Sequence, residues 1–284
     1  MSTVGVIGGS GLYEIDSLEN VEEIRVETPF GDPSDAIISG QLNGHRMLFV
    51  PRHGRGHVHT PSEVPYRANI WALKSLGAEW CISLSAVGSL RGDIHPGHTV
   101  IIDQFIDRTK DRPSTFFGDG IVGHVAFGDP ISPKLASTLA QASRAAGATT
   151  HVGGTYVCME GPAFSTRAES ELYRHWGASV IGMTNLPEAK LAREAEIAYA
   201  TVALATDFDC WHRGHDNVSV DAVIATLTKN VVMAKQIIVE ATKRIPETPD
   251  PVVEGAAKYA VMTAADRIPQ DRRDALQVIL GKYW

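Results

Sequence analysis

The feature that most constrains this chain is the alternation of short, continuous apolar runs rich in β-branched residues with longer amphipathic segments. Unbroken apolar runs are what strands covered on both faces look like. Their alternation with helix-period segments is the pattern of an α/β fold. The spacing predicts strands over Thr3–Gly8, Arg46–Val50, Trp80–Ala86, Thr99–Phe105, Gly154–Met159, Ser179–Met183 and Tyr199–Asp207. It predicts helices over Tyr66–Leu76, Pro133–Ala146, Thr166–Trp176, Pro187–Glu194 and Val220–Arg244. The last carries Val220, Val223, Ile224, Leu227, Val231 and Ala234 on one helical stripe, with Ser219 placed as N-cap and Asp221 in the first turn. The proline-rich piece Ile245–Val252 reads as a loop, since proline removes donors and blocks regular pairing. It precedes a tail from about residue 253 to Trp284 that reads as helical and is too short for a core of its own. All 284 residues are therefore expected to form one domain with a C-terminal helical tail.

Composition excludes several function classes. The apolar fraction of 44% and charged fraction of 21% are those of a globular chain, not of a disordered or fibrous one. A formal charge of −7 argues against a dedicated nucleic-acid binder, whose surface is basic. No stretch approaches a membrane span, and the N-terminus lacks a basic and an apolar signal region, so the expected location is the cytoplasm. Cys81, Cys158 and Cys210 are far apart and outside CxxC spacing, which reads as free thiols, neither a disulfide framework nor a zinc site.

Five segments carry chemistry, and four of them follow predicted strands directly. Gly8-Gly9-Ser10-Gly11 ends the first strand in a glycine turn with one hydroxyl, able to expose N–H groups to an oxyanion. It fits neither the dinucleotide fingerprint nor a P-loop; the plain alternative is a tight turn. Pro51 to His59 (PRHGRGHVH) places Arg52, Arg55 and three histidines at a strand's C-terminal end, where ligands gather in open α/β sheets. It reads as a local cationic patch suited to an anion; a metal on His57 and His59 and a solvated loop are the alternatives. Ser83 to Leu90 offers small residues and the Ser85 hydroxyl, without the G-x-S-x-G elbow of a nucleophilic serine. In Met159 to Arg167 and Gly182 to Asn185, Phe164 is fitted to stack a flat ring and Glu160 or Thr184 to bind sugar hydroxyls, against ordinary core roles for Phe164 and Met183. Asp207-Phe208-Asp209 closes an apolar strand with two carboxyls at i and i+2, on one side of an extended chain. Desolvation and a like charge both raise a carboxyl's pKa, which suits a general acid; a helix-capping turn is the plain alternative.

Taken jointly, the strings GVIGGSGL, TPFGDPSD, RHGRGHVHTP, YRANIWALK, GSL, VIIDQFIDRT, EGPAFSTRAE, GMTNLPEAKLAREAEI and ATDFDCW span residues 4 to about 230. They resemble the 5′-methylthioadenosine phosphorylases of the trimeric purine nucleoside phosphorylase family. The resemblance implies a mixed central β-sheet flanked by helices, and attack of phosphate on C1′ of the ribose with adenine leaving. It assigns phosphate to Ser10 (a Thr in many relatives), Arg52, His53, Ser85, Ala86 and Thr184. It places Met183 under the ribose, Phe164 and Ser165 at the base, Val220 and Val223 at an apolar 5′ pocket, and His124 in a neighbouring subunit's site. It implies a homotrimer, with hexamers among some relatives, inorganic phosphate as co-substrate, no other cofactor and no metal. The departing purine needs a proton at N7, which falls to Asp207, and Asp209 accepts from a 6-amino group. A 6-oxopurine would set its own acceptor against that carboxylate. The competing readings are a 6-oxopurine or methylthioinosine phosphorylase, a non-enzymatic nucleotide-binding module, and a metallohydrolase using His57, His59, Asp209 and His212.

Overall fold

The computed structural model describes residues 1–9, 11–212 and 220–284, and at 220–225 and 227 the backbone alone. The elements run β1 (Thr3–Gly8), β2 (Glu19–Ile24), β3 (Ile37–Leu42), β4 (His45–Pro51), α1 (Tyr66–Ser75), β5 (Trp80–Ser89), β6 (Thr99–Ile101) and β7 (Gln104–Arg108). There follow α2 (Pro133–Ala145), β8 (Thr150–Val152), β9 (Thr155–Met159), α3 (Arg167–His175), β10 (Val180–Gly182), α4 (Asn185–Glu194), β11 (Ala198–Asp207), α5 (Val220–Thr242) and α6 (Gln270–Leu280). The expected α/β class with a mixed sheet flanked by helices is the one observed.

Among the described residues the strands form one 11-stranded sheet, with β2-β3-β4-β1-β5-β10-β9-β7 as its main path. The continuous apolar strands are its centre: β4, β1, β5 and β11 are mutually parallel and almost wholly buried. β5 is long enough to change partners. Its first half, Trp80–Ser83, pairs with β1, while Gly88 and Ser89 pair antiparallel with β10. Leu84–Val87 are left unpaired on that edge, and the sheet parts there. A parting at strand C-terminal ends is where open α/β sheets place their ligands. β11 lies along the other edge of β5 from Trp80 to Gly88, slipping register between Ala205 and Asp207.

Helix ends follow local chemistry. Ser132 caps α2 by accepting from the Leu135 N–H, with Pro133 just inside. Thr166 and Glu169 form a reciprocal capping box at α3. The core centres on Trp80, Tyr156, Tyr199, Phe49 and Phe116. The tail joins that same core through Val253, Ile268, Leu276, Ile279 and Leu280. Trp71 Nε1 donates to the Ala275 carbonyl at 3.0 Å.

Three expectations are corrected. The run Thr99–Phe105 is two strands, because Asp103 leaves the ladder to hold Gly154: its N–H donates to the Gly154 carbonyl and its Oδ1 accepts from the Gly154 N–H at 3.0 Å. The tail is helical only in part, with α6 and two short 3₁₀ turns following a run of turns at 251–260. β2, β3 and β8 were not expected as strands. The Ser219 cap falls outside the described residues.

Candidate active site

A cavity of about 450 Å³ opens where β5 changes partners. β1 brings Gly9 to it, β4 brings Arg52 and His53, and β5 brings Ser85, Ala86 and Gly88. The ends of β9 and β10 add Phe164, Met183 and Thr184; the end of β11 adds Thr206, Asp207 and Asp209; α5 adds Asn230, Val231 and Ala234. Nine expected site residues thus meet in one cavity: Arg52, His53, Ser85, Ala86, Phe164, Met183, Thr184, Asp207 and Asp209. Ser10 lies outside the described residues, as do the side chains of Val220 and Val223. Ser165 does not line the cavity but sits behind it. Its hydroxyl donates to Met159 Sδ and its carbonyl accepts from Cys210 Sγ. His124 is remote from this cavity, exposed, and lines a separate hollow with Lys190 and Glu194.

The expected cationic patch is not one. Arg52 is buried, and Nε and Nη2 grip both oxygens of Glu188 at 2.8 and 3.0 Å. Nη2 also donates to Ser83 Oγ, and Nη1 to the Leu84 carbonyl. Of its five N–H groups only one, on Nη1, is left for a ligand. Burial works against the Arg52 charge, but Glu188 outweighs it and holds the group protonated. Arg55 points away and forks onto Asp35 and Glu23 at the surface. Those bonds hold the Asp35 carboxyl down at about 2. His53 is neutral: burial, with Arg52 and His57 beside it, pushes its pKa down to about 4. What remains at this end is a set of fixed dipoles. The Ser85 hydroxyl lies 3.1 Å from Tyr156 Oη, and Thr184, at the N-cap of α4, spends no side-chain bond on capping. Gly182 must be glycine here, because a Cβ would strike the Tyr156 hydroxyl.

At the other end Asp207 Oδ2 accepts from Thr206 Oγ1 at 2.6 Å, and Oδ1 from the Asp209 N–H at 2.7 Å. Burial raises the pKa of Asp207 against those two bonds. Burial also raises that of Asp209, the nearby Ser170 hydroxyl works against it, and the charge of Asp207 adds to the rise. Asp209 Oδ2 is buried with no hydrogen-bond partner among the described residues. The two carboxyls share the cavity because the chain turns, with Asp209 at φ 50°, and not because an extended strand continues to i+2. Close approach of this turn to β5 requires Gly88, whose Cβ would come 3.0 Å from Asp207 Oδ1. Phe164, 56% exposed, stands at the mouth.

Glu160, expected as an alternative sugar ligand, is instead bound to Arg112 and Ser62. Arg112 was not singled out from the sequence. It is buried and donates to the carbonyls of Met183, Leu186 and Glu160, so it ties together two loops of the cavity. Glu188 was likewise missed as a builder of the site, while His57, read from the sequence as a possible metal ligand, lines the cavity beside His53. Cys81 and Cys158 are buried free thiols and Cys210 is half-buried. Among the described residues no group of three or more His, Cys, Asp or Glu is arranged to hold a metal ion.

Fold and cavity together define an α/β protein with a small-molecule site at the carboxyl edge of its central strands, donor-rich at one end and acidic at the other. More particularly, the chain belongs to the phosphorylase superfamily, whose family model matches residues 3–243. It is 58% identical to the S-methyl-5′-thioadenosine phosphorylase of Geobacter sulfurreducens over 99% of this chain and 98% of that one. It is 57% identical to the enzyme of the same name from Chloroflexus aurantiacus, over 100% and 99%. A crystal structure of methylthioadenosine phosphorylase from an Antarctic soil metagenomic library superposes with a TM-score of 0.94 at 50% identity, covering 98% of this chain and 99% of that one. A variant of the Schistosoma mansoni adenosine/methylthioadenosine phosphorylase, solved with methylthioadenosine, superposes with a TM-score of 0.83 at 36% identity, over 90% and 96%.

Proposed function

We infer that the chain catalyses phosphorolysis of 5′-methylthioadenosine, giving adenine and 5-methylthioribose 1-phosphate. The observation that carries this reading is the polarity of the cavity: oriented donors without net charge at one end, two buried carboxyls of raised pKa at the other. End-to-end similarity to phosphorylases of that substrate supports it. In this reading phosphate takes the free Nη1 N–H of Arg52, the Ser85 and Thr184 hydroxyls, the Ala86 backbone, His53 and Ser10. Met183 lies under the ribose. Phe164 covers the base, backed by Ser165, and Val220 and Val223 face the 5′ substituent. Asp207 gives its proton to N7 as the C1′–N9 bond breaks, and Asp209 Oδ2 accepts from the 6-amino group.

The chain is proposed to act as a homotrimer, with His124 completing a neighbour's site. Its products place it in purine and methionine salvage. No cofactor beyond phosphate is needed for this chemistry. None of the helices described is long and apolar enough to cross a membrane. The decisive experiment is product analysis with methylthioadenosine, adenosine and methylthioinosine, each with and without phosphate. Adenine release must depend on phosphate. Equal release without it makes the protein a hydrolase, and faster cleavage of methylthioinosine makes it a 6-oxopurine enzyme.

A further inference from the structure

We propose that His53 is a proton acceptor in the oxyanion subsite, and that the nucleophile bound productively there is the doubly protonated monoanion of phosphate. This rests on the phosphorolytic reading and adds to it the protonation state of the co-substrate.

The argument starts from one hydrogen bond. His53 Nδ1 lies 2.8 Å from the His59 carbonyl oxygen. A carbonyl can only accept, so Nδ1 carries the hydrogen, and in a neutral ring Nε2 is then a bare lone pair. The ring cannot readily exchange the two roles. Its loop closes on itself, with the His53 carbonyl accepting from the N–H groups of Val58 and His59. The His57 ring stacks against it, centroids 4.3 Å apart at 19°. Nε2 has no hydrogen-bond partner among the described residues, and His53 lines the cavity with Ser85, Ala86 and Thr184. The charged and titratable groups facing the ring are Arg52, His57 and Glu188. Arg52 and His57 oppose a second proton, while the charge of Glu188 is spent on Arg52. Hence Nε2 accepts.

A fully ionised oxyanion would set lone pairs against that lone pair. A P–O–H group donates to it. The monoanion and the dianion of phosphate both keep such a group, and the neutrality of this end chooses between them: with Arg52 already paired to Glu188, one spare Arg52 N–H and neutral dipoles suit the monoanion. The step balances. A phosphate oxygen pair forms the C1′–O bond, the C1′–N9 pair leaves with the purine, and Asp207 supplies the N7 proton. The new ester then bears two P–O–H groups, is a far stronger acid than the monoanion it came from, and passes one proton to Nε2. His53 and Asp207 exchange their protons with solvent on product release.

The probe is sulfate, a tetrahedral dianion with no proton to donate at neutral pH. Sulfate should compete with phosphate at least about tenfold more weakly than phosphate binds. In His53→Gln, whose amide can donate, that ratio should shrink to within about twofold. In the wild type, kcat/KM for phosphate should fall as pH rises through phosphate's second ionisation, by about tenfold per unit, while kcat/KM for the nucleoside does not share that break. Sulfate binding as well as phosphate in the wild type, or a phosphate profile that rises with pH, overturns the proposal. The wild-type arms stand even if the variant does not fold. Loss of phosphate dependence altogether would instead sink the phosphorolytic reading.

Discussion

At the β4 end of the cavity Arg52 is neutralised by Glu188, and its neighbour Arg55 by Asp35 and Glu23. At the β11 end Asp207 and Asp209 lie side by side with no ion pair among the described residues. The first arrangement meets its desolvation cost within the fold, so the donors around it are rigid before a ligand arrives. The second has no counter-charge to offset its cost, and desolvation raises the proton affinity of both carboxyls. A reaction that needs a positioned nucleophile at one end and a proton source at the other is served by that division.

The largest effect should come from breaking the paired end. Glu188→Ala strands a guanidinium that is 3% exposed. Removing one partner of a buried pair costs about 3–5 kcal/mol, to be read by denaturant unfolding. A loss under about 1 kcal/mol would mean that the pair is not what orders this wall. At the unpaired end the cost should fall on catalysis. Asp207→Asn should lower kcat on methylthioadenosine on the order of 10²-fold with little change in stability. The sign of the pH dependence follows from the raised pKa of Asp207. The acid works while protonated, so activity falls as pH climbs through a pKa above the ordinary carboxylate range. That limb should vanish in Asp207→Asn. A wild-type profile flat from weakly acid to alkaline pH would remove Asp207 from the role of acid.

The contrast also separates what was legible in the sequence from what was not. β1, β4, β5 and β11 were legible because strands buried on both faces are apolar without interruption. Their ends were legible as site segments because ligands gather there. β2, with the sequence ENVEEI, is almost fully exposed at the sheet margin and leaves no hydropathy signal. β8 is three residues long. At the site, residue identities were legible but charge states were not. Arg52 meets Glu188 across 136 positions, and Arg112 reaches Met183 across 71. Pairings at such separation exist only in the folded chain. A patch counted as cationic from local composition is for that reason neutral.

A smaller effect is expected at Asp209, which sharpens the acidic end into a specificity element. Asp209→Asn replaces a lone-pair acceptor with a group that can also donate to a 6-oxo group. The ratio of kcat/KM for methylthioinosine over methylthioadenosine should rise on the order of tenfold. An unchanged ratio would assign base choice elsewhere in the cavity.

The smallest effect is the most direct test of the neutral end. Arg55 has the composition of an anion ligand and the geometry of a surface strut, 43% exposed and bound to two carboxylates. Exposed ion pairs are worth about 0–1 kcal/mol. Arg55→Ala should therefore leave KM for phosphate within about twofold. Shortening the Debye length from ~30 to ~3 Å with salt should also do little to that KM, once sulfate and other tetrahedral ions are excluded from the buffer. Both expectations follow from one fact: among the described residues the one Lys or Arg lining the cavity, Arg52, is buried against its own counter-charge and so is little affected by mobile ions. A KM that climbs severalfold with salt, or with loss of Arg55, would mean that long-range attraction draws phosphate in, and that the paired end is not electrically silent.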